Sequence, residues 1–314
     1  MKQIVVVSGK GGTGKTSLTG SFCWFSRNSS AEGDSTKGST IYADCDVDAS
    51  NLHLILSPEK LESGIFTGGR KARIVPEECT SCGRCLELCR FDAVEAPDGG
   101  YRIDETACEG CGVCYRACPA GAIRFEPADS GEWFRSITPY GELFHARLYP
   151  GEENSGKLVT LVKKKAEERA REIGAELLLV DGPPGTACPV LAALTGADLA
   201  VVVAEPTVSS MSDMERITGV IRHFEMPFGV LINKSTLNEE NVMRIEAYCR
   251  DEEIPLFGSI PFHPNFHRAV SACKPYPEFT RDEIHDLLED AWSRIREAAG
   301  GEVKVKTERT QTDE

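Results

Sequence analysis

Long apolar runs and long blocks of basic residues are both missing from this sequence. The first apolar run, residues 4–7, is shorter than the ~7 residues that the apolar region of a secretory signal peptide needs. No run approaches the ~18 consecutive apolar residues of a membrane-spanning helix. Asp and Glu outnumber Lys and Arg, 49 to 35, and no basic block typical of a nucleic-acid-binding surface is present. We therefore expect a cytoplasmic protein with neither a membrane nor a nucleic acid as a partner.

Cysteine, in contrast, is abundant, since the 314 residues include 13. In the cytoplasm this number indicates metal or redox chemistry rather than a disulfide framework. Most of these cysteines form two groups with the spacing Cys-x2-Cys-x2-Cys-x3-Cys, and a shift of 29 residues superimposes the groups. The same shift maps Ile74 onto Ile103 and Val94 onto Ile123, so the sequence contains two copies of one small unit. The repeated cysteines are Cys79, Cys82, Cys85 and Cys89, then Cys108, Cys111, Cys114 and Cys118.

Strand-like and helix-like segments alternate outside the cysteine-rich region. Apolar residues with helical spacing predict helices over residues 158–173 and 282–299, and Thr280 and Glu283 predict a capping box at the start of the second. The alternation predicts an α/β fold with a mostly parallel sheet flanked by helices. Several of the predicted strands are apolar throughout, as strands buried on both faces should be. The predicted strands are residues 3–7, 40–43, 177–180, 199–203, 229–232 and 256–260.

The cysteine-rich repeat interrupts this alternation. We therefore predict a discontinuous α/β domain, residues 1–70 and 131–300, with an insert at residues 71–130. Residues 28–39 are predicted to form a polar loop, and residues 301–314 a polar tail.

A phosphate-binding loop follows the first predicted strand. The segment GKGGTGKTS, residues 9–17, fits the pattern G-x-x-x-x-G-K-[ST] between a strand and a helix, which is the context that this motif requires. Lys15 is expected to reach the β- and γ-phosphates of a nucleotide, and the Thr16 hydroxyl is expected to bind Mg²⁺. The expected nucleotide-binding residues of the loop are Gly9, Lys10, Gly11, Gly12, Thr13, Gly14, Lys15, Thr16 and Ser17.

Carboxylates at the ends of two other predicted strands complete this site. Asp181 begins the segment DGPPG and is expected to bind Mg²⁺, while Asp46 in the segment DCDVD is expected to orient the attacking water. The alternative is that both aspartates only cap helices or form turns, as aspartate often does at strand ends.

The segments KGGTGKT, DCDVD, DGPPG, AEPTVSS and INK together resemble the motifs of the MinD/ParA-type ATPases. This group has a deviant Walker A motif and includes the nitrogenase iron protein and the Mrp-type iron–sulfur carriers. The resemblance implies a homodimer in which Lys10 contacts the nucleotide of the other subunit; the alternative is a solvated loop lysine. It also implies catalytic roles for Lys10, Lys15 and Asp46, and a contact of Asn233 with the base. The guanine-specific motif N-K-x-D is incomplete after Lys234, which favours ATP over GTP.

The two cysteine groups resemble those of a bacterial ferredoxin with two [4Fe–4S] clusters. In that pattern the first three cysteines of one group and the fourth of the other bind the same cluster. Arg90 replaces the proline that follows the first group, whereas Pro119 follows the second. Two Cys₄ zinc sites are the alternative, although zinc sites usually set two cysteine pairs far apart. The resemblance implies one cluster on Cys79, Cys82, Cys85 and Cys118, and another on Cys108, Cys111, Cys114 and Cys89.

The remaining cysteines are Cys23, Cys45, Cys188, Cys249 and Cys273. Cys188 lies seven residues after Asp181, and two interpretations stay open for it. It is either a small buried hydrophobic side chain or, in two copies, a ligand for a labile metal or small cluster.

Both halves together resemble MinD-superfamily ATPases with an inserted ferredoxin domain. The expected cofactors are therefore ATP, Mg²⁺ and two [4Fe–4S] clusters. We expect a dimeric Mg-ATP-hydrolysing iron–sulfur protein that couples a nucleotide switch to ferredoxin-type electron transfer. Its expected partner is a redox or metal-cofactor protein, served in metal-cofactor or iron–sulfur cluster maturation. The alternatives are a cluster or metal carrier without net electron transfer, and a positioning ATPase of the ParA/MinD kind.

Overall fold

The computed structural model of the chain describes residues 1–28, 39–97, 100–152 and 155–301. The polar loop predicted for residues 28–39 lies outside the described residues, except for residues 28 and 39 themselves. The polar tail predicted for residues 301–314 lies outside them from residue 302 onward.

A mixed sheet forms the centre of the described chain. Its strand order is β11-β10-β9-β1-β8-β2-β7-β6-β3, with parallel pairing from β11 to β7 and antiparallel pairing of β7 with β6 and of β6 with β3. The strands are β1 Lys2–Ser8, β2 Thr40–Asp44, β3 Glu59–Ile74, β6 Ile123–Thr138, β7 Gly141–Leu148, β8 Leu177–Pro184, β9 Leu199–Ala204, β10 Phe228–Asn233 and β11 Leu256–Ile260. A separate pair consists of β4 Val94–Glu95 and β5 Arg102–Ile103.

Helices cover both faces of the sheet. They are α1 Lys15–Asn28, α2 Leu52–Leu56, α3 Arg84–Leu88, α4 Val113–Ala117, α5 Ser155–Glu172, α6 Cys188–Leu194, α7 Val208–His223, α8 Glu239–Asp251, α9 Asn265–Ser271, α10 Tyr276–Phe279 and α11 Glu283–Gly300. No helix within the described residues combines the length and the apolar character needed to cross a lipid bilayer.

The central strand β1 shows why these apolar runs form buried strands. Its side chains alternate between the two faces of the sheet. Ile4 and Val6 pack with α1, α2 and α11, whereas Val5 and Val7 pack with α5, α6, α7 and α8. Both faces are therefore covered, and the mostly parallel sheet predicted from these apolar runs is confirmed.

The predicted helices over residues 158–173 and 282–299 are confirmed as α5 and α11, but the predicted capping box is wrong. Asp282 is the residue before α11, and its carboxylate accepts hydrogen bonds from the backbone N–H groups of Ile284 and His285. An aspartate in this position satisfies two free donors of the first turn and places negative charge at the helix N-terminus. It therefore takes the position predicted for Thr280.

The strands β3, β6 and β7 are additions to the predicted sheet. β3 and β6 form a long antiparallel ribbon, paired from Glu59 and Ile137 at one end to Ile74 and Ile123 at the other. The ribbon continues the sheet through β7 at its first end and carries the cysteine-rich segment at its second. Residues 70 and 130, the predicted domain limits, fall inside these strands, and the limits stay a prediction.

The cysteine-rich segment has the internal symmetry that its sequence repeat predicts. α3 and α4 occupy equivalent positions, since the 29-residue shift maps their bounds onto one another. Ile74 pairs with Ile123 at the end of the ribbon, and the equivalent residues Ile103 and Val94 pair between β5 and β4. The two sequence copies therefore form one pseudo-symmetric unit in which each copy supplies one strand to each pair.

Candidate functional site: a nucleotide pocket and a cysteine-lined cavity

The predicted phosphate loop connects the end of β1 to the start of α1. Gly12 and Gly14 have φ angles of 82° and 88°, a left-handed conformation that glycine adopts without steric cost. A Cβ atom at Gly14 would lie 2.3 Å from the Asn233 side-chain nitrogen, so the loop also requires glycine for space. The loop thus has the closely packed backbone that a phosphate cradle needs, and Thr16 follows it as the second residue of α1.

Lys15 lies buried among carboxylates. Its Nζ is 3.2 Å from Asp181 Oδ1 and 3.6 Å from Asp46 Oδ2. Burial acts to lower the pKa of Lys15, but Asp181, Asp46 and a third carboxylate, that of Asp44, outweigh burial and raise it. The structure therefore brings together the phosphate-loop lysine, the predicted Mg²⁺ ligand Asp181 and the predicted water-orienting Asp46.

Asp181 has a free oxygen in this pocket. The residue is fully buried, and its Oδ1 accepts hydrogen bonds from Lys15 and, at 3.1 Å, from Thr19 Oγ1. Its Oδ2 has no hydrogen-bond partner among the described residues. Leaving a buried carboxylate oxygen unsatisfied is costly, and carboxylate oxygens are preferred Mg²⁺ ligands. The donor set therefore fits a hydrated Mg²⁺ ion.

Asp44 is a contributor to the site that the sequence prediction passed over. It pairs in register with Asp181 on the neighbouring strand and is equally buried. Its carboxylate accepts hydrogen bonds from the backbone N–H of Asp46, the Ser50 hydroxyl and the backbone N–H of Leu52, at 3.1, 2.7 and 3.0 Å. Burial and the nearby Asp181 raise the pKa of Asp44 to about 7. Asp44 thus orders the loop that carries Asp46.

Lys10 lies against its own chain. Its Nζ is 2.8 Å from Glu205 Oε1 and donates hydrogen bonds to Thr207 Oγ1 and Ser209 Oγ. The second carboxylate oxygen of Glu205 is 2.9 Å from Lys234 Nζ. Burial acts to raise the pKa of Glu205, but the two lysines outweigh it and lower that pKa. Glu205, which the sequence analysis did not single out, therefore joins two lysines beside the phosphate loop.

Asn233 and Lys234, at the end of β10, hold the phosphate loop in place. Asn233 Nδ2 donates a hydrogen bond to the Thr13 carbonyl, and Lys234 Nζ donates one to the Gly12 carbonyl, both at 2.7 Å. In this structure Asn233 therefore contacts the loop backbone. Its predicted contact with a nucleotide base stays a prediction.

Three cysteines of the first group and one of the second line an apolar cavity of about 330 Å³, a volume that includes the open mouth. The cysteines that line it are Cys79, Cys82, Cys85 and Cys118. Apolar side chains of Ile74, Ala122 and Ile123 form part of its wall. Gly83 and Gly112, with φ angles of 77° and 72°, occupy equivalent turns before α3 and α4. The cysteine loops therefore line a cavity whose wall is completed by apolar side chains.

The second cysteine group shares one small core with the first. Cys108 and Cys114 pack against the core residues Ala72, Ile74 and Ile123. Cys89 directly follows α3, just as Cys118 directly follows α4. Burial, together with the neighbouring thiols, raises the pKa of Cys114 to about 11. Closely spaced thiols of this kind are suited to a bound metal centre, because its positive charge stabilises the thiolate form.

Cys188 is exposed at the first position of α6, which rules out its interpretation as a buried hydrophobic side chain. Among the other leftover cysteines, Cys23, Cys45 and Cys249 are buried and Cys273 is exposed.

The fold and the loop geometry define a P-loop nucleotide-binding protein, and comparisons identify its family. The model of the CobQ/CobB/MinD/ParA nucleotide-binding domain matches residues 4–276. An uncharacterized protein of Methanocaldococcus jannaschii is 32% identical over 297 residues, which are 94% of this chain and 96% of that protein. The chain belongs to the CobQ/CobB/MinD/ParA family, whose MinD/ParA members are ATPases.

Two further similarities concern the fold and the insert. The septum site-determining protein MinD of Pyrococcus horikoshii, solved with Mg-ADP, has a TM-score of 0.58 at 16% identity and covers 95% of this chain and 97% of its own. This likeness shows the shared fold. A 7Fe ferredoxin of Hydrogenibacillus schlegelii is 34% identical over 75 residues, which are 23% of this chain and 96% of that ferredoxin. Short matches of this kind suggest that the cysteine-rich region binds iron and sulfur.

Proposed function

We propose that the chain is a dimeric Mg-ATP-hydrolysing iron–sulfur protein that couples its nucleotide switch to ferredoxin-type electron transfer. Its partner is a redox or metal-cofactor protein, and the role of the transfer is maturation of a metal cofactor or iron–sulfur cluster. The observation that carries the proposal is the cavity lined by Cys79, Cys82, Cys85 and Cys118, in the same chain as the Lys15 pocket. These are the cysteines that the ferredoxin resemblance groups on one cluster.

In the nucleotide pocket, Lys15 neutralises the β- and γ-phosphates, while Thr16 and Asp181 hold Mg²⁺. The free Oδ2 of Asp181 supports this assignment. Asp46 is close enough to Lys15 to lie near the γ-phosphate and to orient water there. Lys10 reaches the nucleotide of the second subunit and stabilises charge on the transferred phosphate.

In the insert, residues 71–130, the cysteine loops hold two [4Fe–4S] clusters, and cysteines of both groups pack against the core formed by Ala72, Ile74 and Ile123. Clusters of this type exchange single electrons when bound. Cys82 and Cys111 are exposed, so each predicted cluster has a ligand at the protein surface where a partner can approach.

A second function, carriage of a cluster or metal without net electron transfer, is favoured by one observation. Cys188 is exposed at the start of α6, on the chain segment that follows Asp181. A nucleotide-dependent movement of this segment would move its thiol. Transfer experiments that follow electrons and iron separately distinguish the two functions.

The iron content of anaerobically purified protein tests the cluster assignment. We expect about eight irons per chain, as two cubes of four iron atoms require. Cys118→Ser should retain about four, and the matched control Cys273→Ser, which changes an exposed cysteine outside the insert, should retain about eight. Zinc in place of iron would contradict the proposal. About seven irons per chain would instead indicate the iron content given in the name of the similar 7Fe ferredoxin.

Anaerobic transfer then tests the coupling. Reduced protein is mixed with candidate acceptor proteins with and without Mg-ATP, while cluster absorbance reports electrons and a labelled-iron assay reports iron. ATP-dependent loss of electrons with retention of iron supports the electron-transfer function, and ATP-dependent loss of iron supports the carrier function.

A further inference from the structure

We infer that Glu205 holds Lys10 within its own subunit before the dimer forms, so that the dimer assembles by an exchange of Lys10 from Glu205 to the partner's nucleotide. This inference rests on the proposed function, because it assumes the nucleotide-dependent dimer. Glu205 then positions Lys10, and its hold on Lys10 explains why the separated subunit stays inactive.

The contacts of Lys10 satisfy the whole ammonium group. An ammonium has three N–H donors, and Lys10 Nζ has three oxygen partners: Glu205 Oε1 at 2.8 Å, Ser209 Oγ at 3.1 Å and Thr207 Oγ1 at 3.3 Å. The three partners lie in one short segment between β9 and the first turn of α7. Lys10 is therefore held in a formed site and is not a freely solvated loop lysine.

The carboxylate of Glu205 is itself firmly placed. Its residue is only 7% exposed, and its backbone N–H donates a hydrogen bond to Ser210 Oγ in α7. Each carboxylate oxygen faces a different lysine, Oε1 facing Lys10 and Oε2 facing Lys234. Lys234 is in turn fixed by its hydrogen bond to the Gly12 carbonyl.

This double pairing lets Lys10 leave at low cost. Removing one partner of a buried ion pair is strongly destabilising when it leaves a charge unpaired. When Lys10 leaves Glu205, however, Lys234 remains paired with the same carboxylate. The arrangement therefore favours the exchange of one lysine while the other keeps the phosphate loop in place.

The surface around Lys10 favours a second copy of this chain as the acceptor of the lysine. Val208, between Thr207 and Ser209, is 75% exposed, which is an unusually high exposure for an apolar side chain. Ser209, which holds Lys10, is exposed beside it. An apolar residue next to a releasable cation is suited to an interface in which the cation enters the partner's phosphate site.

Three variants test the exchange by measuring the dimer dissociation constant in sedimentation experiments with Mg²⁺ and a non-hydrolysable ATP analogue. Glu205→Gln weakens the hold on Lys10 and should lower the dissociation constant about three- to tenfold. In Lys234→Met, Lys10 is the one remaining lysine paired with Glu205, so the dissociation constant should rise. Glu205→Gln should have no effect in a Lys10→Met background, because its effect acts through Lys10.

A second measurement reports on the separated subunit without nucleotide. Acetylation of Lys10, followed by mass spectrometry and normalised to the exposed Lys164, should be faster in Glu205→Gln than in the wild type. If the wild type dimerises but Glu205→Gln changes neither the dissociation constant nor the Lys10 acetylation rate, the role of Glu205 is overturned and the proposed dimer stands. A wild type that remains monomeric with the analogue overturns the proposed dimer and, with it, the exchange.

Discussion

At the scale of single residues, the pocket around Lys15 has an excess of negative charge before nucleotide binds. Asp44, Asp46 and Asp181 all act on this lysine, and two of the three carboxylates are fully buried. A nucleotide triphosphate brings further negative charge to the same place. We therefore expect binding to require Mg²⁺, because the cation offsets the repulsion between phosphates and carboxylates and satisfies Asp181 Oδ2.

Alanine substitutions of the two loop lysines should have different effects. Lys15→Ala removes the cation beside the phosphates and should abolish binding of a fluorescent ATP analogue. Lys10→Ala should leave that binding unchanged, because Lys10 contacts Glu205 in its own subunit, but lower phosphate release by roughly 10³-fold if it acts as an arginine finger does. Circular dichroism checks that both variants are folded. An unchanged rate in Lys10→Ala would refute its action in the partner's site.

Among the residues of the site, the sequence predicted those that belong to a contiguous motif. The phosphate loop, Asp46 and Asp181 are marked by short patterns, and the fold brings them together. Glu205 and Asp44 lie inside the segments AEPTVSS and DCDVD, but these patterns do not tell which lysine or backbone N–H each carboxylate meets in the fold. The remaining signal was the position of both residues at a strand end, because Asp44 is the last residue of β2 and Glu205 directly follows β9.

At the scale of elements, a stack of rings joins α2 to β7 and β6. His145 stacks with two rings. The distance between ring centroids is 5.2 Å for His53 and His145 and 4.9 Å for Phe134 and His145. Ser50, which donates to Asp44, lies 3.4 Å from His53 Nδ1. The stack therefore links the loop of Asp46 to the sheet extension. Burial and the neighbouring His53 lower the pKa of His145 to about 4.

This shift predicts a pH dependence of stability. Between pH 6.5 and about 4 the unfolded chain binds a proton at His145 that the folded chain does not, so the free energy of unfolding falls as pH decreases. The contribution is at most about 1.4 kcal/mol per pH unit. His145→Phe keeps a ring in the stack and should lose this contribution, as urea unfolding from pH 4 to 7 would measure. Parallel curves for variant and wild type would exclude His145 as the source.

Burial on both faces distinguishes the strands that the sequence predicted from those that it did not. Strands buried on both faces are continuous apolar runs, and all of these were found. β3 is mostly exposed in its first half, and β6 contains charged residues and Pro127, so neither has a clear strand pattern. Their structure depends on pairing with each other over residues that are far apart in sequence, which a local pattern does not reveal.

At the scale of the whole molecule, the insert is fastened to the nucleotide-binding part through Lys71. This ribbon residue forms an ion pair with Glu152 and donates a hydrogen bond to the Glu105 carbonyl in the second repeat. Glu152 belongs to the segment between β7 and α5, and near the start of α5 Gly156 packs beside Cys188 of α6. The chain on either side of the start of α5 therefore contacts both the ribbon residue that holds the cysteine repeat and the helix that follows Asp181.

Removing the charged group of Lys71 should loosen this connection without changing the pocket. In Lys71→Met we expect faster amide hydrogen exchange at residues 100–107 and 149–152, measured by mass spectrometry, with unchanged ATP binding. Lys164→Met is the matched control, because its ion pair with Glu168 is exposed and contributes little. Equal exchange in both variants would show that other contacts fix the insert.

The ribbon of β3 and β6 has a consequence for how such a chain can be assembled. The polypeptide leaves the parallel sheet on one strand and returns on its direct neighbour, so Arg70 and Pro127 face each other across the ribbon. A short turn joining these two positions would replace the entire cysteine repeat while leaving the rest of the ribbon paired. The repeat is thus attached at the tip of a β-hairpin. Its replacement by another module would leave the order of the central strands unchanged.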